Sequence, residues 1–262
     1  MSDRKQPKFA VAGKGGVGKT TVSAGLVLAL ARRTLPVYAV DGDSNGCLGY
    51  ALGFPGADLC ELKPLAEMRE ELEERAKPND SGMYLLTPPV DDLIAKYSIA
   101  QGNMRLLVMG TIGEAGAGCA CGLNTALREI LRQLVKRPEA IVVDMEAGVE
   151  HMGRGTAGAL DTMIVVAEPA DSSLRTAQRV VELARQMGVA HLAAIANKVR
   201  QDGDVGRVRE ALGDVPVIAA VPFMAGLREP LSVTTPETDQ LLSLLGQALD
   251  VLPGYGKERG HG

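Results

Sequence analysis

The stretch from Gly13 to Thr21 reads G-K-G-G-V-G-K-T-T and decides the fold. It follows the apolar run F-A-V-A, Phe9 to Ala12, and leads directly into a helix-like segment from Thr21 to Arg33. Strand, glycine-rich loop and helix start in this order are the context in which the G-x-x-x-x-G-K-[ST] pattern binds phosphate. The glycines let successive N–H groups face an anion, and the helix N-terminus adds partial positive charge. The stretch therefore predicts a site for a nucleotide's phosphates.

Individual roles follow from the positions in this pattern. Lys19 is placed to reach the β and γ phosphates, the Thr20 hydroxyl to ligate Mg²⁺, and Thr21 to contact the α-phosphate. The predicted nucleotide-binding residues of the loop are Gly13, Lys14, Gly15, Gly16, Val17, Gly18, Lys19, Thr20 and Thr21.

Short apolar runs recur between helix-length segments. They lack the alternation of half-exposed strands, which is typical of strands buried on both faces of a parallel sheet. The runs are Phe9–Ala12, Val37–Asp41, Leu106–Met109, Ile141–Asp144, Met163–Ala167, Leu192–Ala196 and Val217–Val221. Amphipathic segments lie at Thr21–Arg33, Leu123–Lys136, Ser173–Met187 and Glu237–Val251. The pattern predicts a doubly wound α/β fold, a mostly parallel sheet with helices on both faces, within one domain of 262 residues.

Charge and composition exclude several classes of partner. The net charge is −4 and the basic residues are scattered, so the basic surface of a nucleic-acid-binding protein is not expected. No apolar run approaches the length that spans a bilayer, and the N-terminus lacks the apolar region of a signal peptide. We therefore expect a cytoplasmic protein without nucleic-acid binding or membrane insertion, whose four cysteines are thiols or metal ligands.

A charged insertion interrupts the alternation of strands and helices. The segment from Leu62 to Lys77 contains E-M-R-E-E-L-E-E-R-A and predicts an exposed helix. A turn signal, P-N-D-S-G, and a short predicted strand near Tyr84 to Thr87 follow it. The helix either only covers the sheet or docks a partner, and the sequence favours neither interpretation.

A second lysine, Lys14, follows the first glycine of the loop. With it, K-G-G-V-G-K-T resembles the deviant Walker A motif of the family that includes the nitrogenase iron protein and the division-site and plasmid-partition ATPases. In that family the early lysine reaches across a dimer interface to the partner's nucleotide. The resemblance implies an ATPase that forms an ATP-dependent homodimer, in which Lys14 and Lys19 are catalytic because they add positive charge near the γ-phosphate.

Two of the apolar runs end in carboxylates that resemble this family's motifs. D-G-D-S-N-G, which begins at Asp41, resembles switch I and implies that Asp43 positions the attacking water and Asp41 lies near Mg²⁺. Ser44 stands where the family has proline, which predicts a less rigid loop. D-M-E-A-G resembles Walker B and switch II, so Asp144 is expected to hold Mg²⁺ through water and Gly148 to contact the γ-phosphate.

The base contact is expected near the run I-A-N-K. It places Asn197 just beyond a predicted strand, where the family contacts adenine. Relatives often carry an acidic residue two places after the proline of the later V-P-F-M, and Met224 does not match it.

A pair of cysteines lies in the glycine-rich run G-A-G-C-A-C-G. Cysteines at i and i+2 can point to one side of an extended loop, and thiolates favour zinc, nickel, copper or iron. One chain offers only two thiolates, whereas a dimer with Cys119 and Cys121 on its two-fold axis offers four, enough for a tetrahedral Zn²⁺ or Ni²⁺ site. The alternative is that both are small buried thiols.

The wider sequence resembles a particular branch of the family. V-M-G-T-I-G-E-A-G-A-G-C-A-C and V-D-M-E-A-G-V-E-H-M-G-R-G-T are similar to the nickel-insertion ATPases that mature carbon monoxide dehydrogenase and acetyl-CoA synthase. The resemblance implies a metallochaperone whose client is carbon monoxide dehydrogenase or a related nickel enzyme. Gly122 stands where those proteins usually have proline. The thiolates are kept, but the resemblance does not extend to the stiffness of the loop.

Four other residues have interpretations of their own. Cys47 and Cys60 have no partner at ligand spacing, so both are interpreted as packing residues. His151 and Arg154 either relay the phosphate state to the cysteine loop or are ordinary loop residues.

Two alternative functions remain. One is an iron–sulfur or metal cofactor assembly ATPase for another client, and the other is a spatial organiser of the division-site type. The predicted helix Glu237–Val251 has no Lys or Arg, which disfavours the spatial organiser.

Overall fold

The computed structural model describes residues 6–42, 46–65, 71, 91–110, 131–145, 160–252 and 255. Its strands are β1 (Lys8–Gly13), β2 (Val37–Gly42), β3 (Ile99–Gln101), β4 (Met104–Val108), β5 (Ala140–Met145), β6 (Thr162–Ala167), β7 (His191–Val199) and β8 (Val217–Pro222). Within the described residues these form one sheet in the order β3-β4-β2-β5-β1-β6-β7-β8. Every neighbouring pair is parallel except β3 with β4. The predicted mostly parallel α/β fold is therefore confirmed.

Helices cover both faces of this sheet. They are α1 (Lys19–Arg32), α2 (Leu48–Leu52), α3 (Gly56–Glu61), α4 (Asp91–Lys96), α5 (Asp171–Gln186), α6 (Gly203–Leu212) and α7 (Pro236–Val251). One hydrophobic core lies between the sheet and α1, α2 and α7. The other lies between the sheet and α4, α5 and α6. Of the helices that the structure describes, none has the length and apolar character needed to cross a membrane.

The central strands are buried along their whole length. Every residue of β1, β5 and β6 is buried, because helices cover both faces. Strand β1 lies between β5 and β6, so the loop that follows it emerges in the middle of the carboxyl edge of the sheet. Residues that follow the other parallel strands emerge at the same edge, which is where open α/β sheets bind ligands.

The interpretation of Thr21–Arg33 as an amphipathic segment is wrong. Helix α1 is buried without interruption from Val22 to Leu30. It packs on the sheet and also contacts α2 and α7, so its outer side faces other helices. Small residues make this possible, since a Cβ on Gly25 would collide with the Leu245 side chain of α7.

Other expectations differ from the structure or lie outside the described residues. The antiparallel edge strand β3 was not predicted. Of the charged segment Leu62–Lys77 only residues 62–65 and 71 are described, and the short strand near Tyr84–Thr87 lies outside the described residues. Of the predicted helix Leu123–Lys136, residues 131–136 are described and 131–134 are helical. Asn197 lies inside β7 and not beyond it, because this strand continues to Val199.

Candidate nucleotide-binding site

The phosphate-binding loop connects β1 to α1 and depends on glycine at two positions. Gly13 has a φ of +153°, and a Cβ there would collide with the backbone oxygen of Val166 on β6. Gly18 has a φ of +93°, and a Cβ there would collide with the Asn197 amide. Side chains rarely adopt such φ values, and neither position has space for one. The loop thus keeps its backbone against the sheet and curls at the start of α1.

The start of α1 offers the groups that bind anions. Its N-cap residue is Gly18, so no side chain caps the first turn, and the N–H groups there are directed out of the helix. The buried Lys19 ammonium lies within the loop, 3.4 Å from the Lys14 carbonyl. Partial positive charge from the helix and a full charge from lysine therefore meet at one point, which suits phosphate.

Two consecutive side chains of β7 contact the outside of the loop. The buried Asn197 donates a hydrogen bond of 2.7 Å from Nδ2 to the Val17 carbonyl. Lys198 donates a hydrogen bond of 2.6 Å from Nζ to the Gly16 carbonyl and forms a 2.6 Å ion pair with Glu168. The resemblance predicted a base contact for Asn197 but gave no role to Lys198 or Glu168. Nothing in the residue pattern assigns these contacts.

The predicted carboxylates lie side by side at the ends of adjacent strands. Asp41 and Asp144 are register partners in the β2–β5 pair, and both are buried. Asp144 accepts a 3.0 Å hydrogen bond from the Ser23 hydroxyl of α1. Asp41 accepts a 2.8 Å hydrogen bond from the backbone N–H of Leu48. Ser23, which the sequence did not single out, therefore connects the helix after the loop to the strand that carries Asp144.

The donor set at this edge fits Mg²⁺. Magnesium prefers oxygen ligands and binds through one or two carboxylates, with water and substrate phosphates completing its shell. Asp41 and Asp144 supply carboxylates, and the half-buried Thr20 lies in the first turn of the same helix that carries Ser23. Two buried carboxylates beside a phosphate-binding loop therefore suit a metal held jointly with a nucleotide.

Lys14 points to a residue of its own chain. Its ammonium donates a hydrogen bond of 2.9 Å to the Ser172 hydroxyl, in the first turn of α5. This contact is exposed, and it lies next to the Glu168 segment, whose backbone N–H donates to Ser173 at 3.0 Å. The predicted reach of Lys14 to a partner's nucleotide stays a prediction.

The turn after β7 is held by one carboxylate. Asp204 of α6 accepts backbone hydrogen bonds from Arg200 at 2.8 Å and Gln201 at 3.2 Å. The bond from Arg200 is the main cause that lowers the pKa of Asp204 from its ordinary value of 3.8. Arg200 also lies over the Phe223 ring, 3.7 Å from its centroid. The chain that leaves β7 is thereby fixed next to the phosphate-binding loop.

Several predicted residues lie outside the described residues, namely Asp43, Ser44, Cys119, Cys121, Gly122, Gly148, His151 and Arg154. Their roles stay predictions. The interpretation of Cys47 and Cys60 as packing residues is wrong, since both are exposed. Cys47 precedes α2, and Cys60 is on α3, a short helix that buries none of its residues.

The fold and the loop define a P-loop nucleotide-binding protein. A strand, a glycine-rich loop and a helix N-terminus converge with Lys19, Asp41 and Asp144 at the carboxyl edge of a parallel sheet. A model of the CobQ/CobB/MinD/ParA nucleotide binding domain matches residues 8–234. The chain belongs to this family.

Individual relatives agree with this assignment. The carbon monoxide dehydrogenase accessory protein CooC of Rhodospirillum rubrum is 38% identical over 224 residues, which cover 84% of this chain and 85% of that protein. An uncharacterized ATP-binding protein of Methanocaldococcus jannaschii is 42% identical over 223 residues, which cover 82% and 85%. The septum site-determining protein MinD of Pyrococcus horikoshii, complexed with Mg-ADP, shares the fold with a TM-score of 0.66 at 20% identity, covering 94% and 96% of the two chains.

Proposed function

We propose that this chain is an ATP-dependent metallochaperone, a homodimer that hydrolyses Mg·ATP and assists nickel insertion into carbon monoxide dehydrogenase. The observation that carries the proposal is its 38% identity to a carbon monoxide dehydrogenase accessory protein over most of both chains. The phosphate-binding loop supplies the nucleotide chemistry. Cys119 and Cys121 supply soft ligands that suit Ni²⁺ or Zn²⁺ as cargo.

The residues of the loop account for nucleotide binding and charge stabilisation. The N–H groups at the start of α1 and the Lys19 ammonium bind the phosphates, and Lys14 of each chain reaches the partner's nucleotide. Asp43 orients the attacking water, and Asn197 holds the loop and lies toward the base. Thr20, Asp41 and Asp144 would hold Mg²⁺, which would supply positive charge next to the phosphate oxygens.

The alternatives share the same ATPase machinery and differ in what it drives. A spatial organiser of the division-site or partition type is disfavoured, because α7 has no Lys or Arg with which to bind an acidic membrane surface. An iron–sulfur or metal cofactor assembly ATPase for another client would use the same cysteine pair. Its client and cargo would distinguish it.

Activation of a nickel-free client tests the proposal. Nickel-free carbon monoxide dehydrogenase, incubated with Ni²⁺, Mg·ATP and the wild-type chain, should gain carbon monoxide oxidation activity faster than with Ni²⁺ alone. The double variant Cys119→Ser/Cys121→Ser should fail to accelerate activation while it still hydrolyses ATP. Cys60→Ser is the matched control, since it removes an exposed thiol elsewhere on the surface. A wild-type chain that hydrolyses ATP but never accelerates activation would favour another client.

A further inference from the structure

Strand β7 is irregular at the point where it meets the phosphate-binding loop. Its register with β8 shifts between Ala196 and Val199, the interval that contains Asn197 and Lys198. Lys198 has a φ of +56°, in the left-handed region that side chains other than glycine rarely adopt. Irregularities of this kind next to sites often redirect a side chain.

The irregularity explains how two adjacent residues reach one loop. In a regular strand, consecutive side chains point to opposite faces of the sheet. Here the Asn197 amide and the Lys198 ammonium both donate to the loop, to the carbonyls of Val17 and Gly16 respectively. These carbonyls are consecutive in the sequence, so two adjacent peptide groups are held by the same strand.

Holding the carbonyls also orients the N–H groups. In a trans peptide the C=O and the following N–H point in opposite directions. Because the Gly16 and Val17 carbonyls are fixed toward β7, the N–H groups of Val17 and Gly18 are directed away from β7, to the inner side of the loop. The Val17 N–H donates to the Lys14 carbonyl, 3.4 Å away. The Lys19 ammonium donates to the same carbonyl, so this N–H lies on the side of the loop where the ammonium is. The inner side of the loop is thus the side on which the phosphates are expected.

Glu168 fixes the lysine in turn. It follows β6 directly, and its Oε1 lies 2.6 Å from the Lys198 ammonium. Both side chains are half-buried, with exposed fractions of 38% for Lys198 and 27% for Glu168. The ammonium therefore has two partners, the carboxylate that follows β6 and a carbonyl in the loop, which limits its rotamers.

We propose that Lys198, oriented by Glu168, is a positioning residue that presets the phosphate-binding loop for nucleotide before any nucleotide binds. The strained backbone of Lys198 is retained because it brings the ammonium to the Gly16 carbonyl. The inference deepens the proposed function and rests on its nucleotide half only, so its test uses Mg·ADP and neither nickel nor a client.

Replacing Lys198 by glycine separates stability from function. Lys198→Gly relieves the left-handed strain, which offsets the lost side-chain contacts and the added freedom of the unfolded chain, so the melting temperature of the nucleotide-free protein should stay close to that of wild type. The same change removes the donor to Gly16, so the dissociation constant for Mg·ADP, measured by calorimetry, should increase roughly tenfold. A merely structural residue would not weaken Mg·ADP binding while the melting temperature is kept.

Further variants test the donor itself. Lys198→Met keeps the apolar stem and should weaken Mg·ADP binding as Lys198→Gly does, whereas Lys198→Arg keeps a donor and should recover most of the affinity. Glu168→Gln should give an intermediate loss, because the lysine then loses its charged partner.

Two controls match the two changes. Thr34→Gly relieves the other non-glycine residue of positive φ among the described residues, at +61°, away from the loop. Lys96→Met removes the exposed ion pair with Glu71, 2.9 Å long, at the opposite edge of the sheet. Neither should change the dissociation constant for Mg·ADP.

The outcomes separate this inference from the proposed function. If wild-type protein binds Mg·ADP and Lys198→Gly and Lys198→Met bind it equally well, the positioning role is wrong while the proposed function stands. If wild-type protein does not bind Mg·ADP, the nucleotide half of the proposed function fails, and the inference fails with it.

Discussion

The Ser23 hydroxyl donates a 3.0 Å hydrogen bond to the Asp144 carboxylate, and both side chains are buried. The two residues are separated by 121 positions in the sequence. The bond connects α1, which begins at the phosphate-binding loop, to the end of β5. The helix that follows the loop is thus bonded directly to the strand that carries the predicted magnesium ligand.

Removing this hydroxyl should reduce both stability and catalysis. Ser23→Ala takes one donor from a buried carboxylate, which should lower the free energy of unfolding by about 1–3 kcal/mol in urea. ATP turnover should fall as well, because Asp144 loses a contact that fixes its orientation. Ser243→Ala makes the same chemical change at an exposed position of α7 and should stay within about 0.5 kcal/mol of wild type. Equal stability of both variants would show that the bond contributes little.

Two glycines of the loop should respond differently to alanine. A Cβ on Gly13 collides with the backbone oxygen of Val166, and β6 cannot yield without breaking its pairing with β1. Gly13→Ala should therefore lower the free energy of unfolding by more than about 2 kcal/mol. A Cβ on Gly15 meets no atom within 4 Å, so Gly15→Ala should stay within about 1 kcal/mol of wild type. Urea unfolding of the nucleotide-free proteins measures both, and a similar loss in the two variants would contradict the steric argument.

Variants of Lys14 and of its contact residue Ser172 test whether Lys14 acts on the partner's nucleotide. Lys14→Ala should abolish ATP hydrolysis and leave nucleotide binding to the monomer largely intact, if the lysine acts on the partner's nucleotide. Its ammonium contacts Ser172 in the same chain, 2.9 Å away. Ser172→Ala removes only that contact and should keep most of the hydrolysis. Wild-type turnover by Lys14→Ala would exclude the trans-acting lysine, and loss of turnover in Ser172→Ala would show that the contact within the chain is required.

The stability of the protein at acid pH should depend on the carboxylate of Asp204, which holds the turn after β7. The folded-state pKa of Asp204 lies below 3.8, so its contribution to stability is present above that value and is lost as the pH falls through the folded pKa. Asp204→Asn should therefore be less stable than wild type near neutral pH, and the difference should shrink below about pH 4. Urea midpoints measured from neutral to acid pH test this. Asp202→Asn changes an exposed carboxylate in the same turn and should stay close to wild type throughout. A difference for Asp204→Asn that persists at acid pH would contradict the assignment.

The strands were predictable because burial on both faces leaves a continuous apolar run. Such runs predicted β1, β2 and β4 to β8, whereas β3 has three residues and is defined only by its pairing with β4. Helix α1 was misread because small and polar residues such as Ser23 and Gly25 resemble an exposed face, although they pack against β5 and α7. Burial by neighbouring helices depends on the tertiary structure, and the hydrophobic periodicity of a single segment does not indicate it.

The candidate site was predictable where a motif combines several roles in a few residues. The loop and the carboxylates Asp41 and Asp144 were singled out from the sequence because each directly follows or ends an apolar strand. Lys198, Glu168 and Ser23 were missed because their contacts join segments far apart in the sequence. The Lys198 contact also depends on a register shift in β7, which the sequence does not indicate.

The final prediction concerns the cysteine pair, which lies outside the described residues. If two C-x-C loops meet on a two-fold axis, one Zn²⁺ or Ni²⁺ should bind per dimer through four thiolates, because neither chain alone completes a tetrahedral shell. Metal binding and dimerisation should then be coupled. Adding metal should shift the protein to the dimer on a sizing column, and ATP should change the metal affinity, since each ligand that favours the dimer favours the other.

Cysteine variants test this coupling directly. Cys119→Ser/Cys121→Ser should lose the bound metal, as measured by metal analysis of the purified protein with and without ATP. This double variant should still dimerise when ATP is added but not when metal is added. Cys60→Ser, an exposed thiol on α3, should keep both the metal and the coupling. Release of the ion follows in this scheme when hydrolysis relaxes the dimer and separates the two loops, which leaves each thiolate pair with an incomplete shell. If the double variant still binds one metal per dimer with unchanged affinity, the cysteines are not the ligands and the nickel-insertion proposal loses its chemical basis.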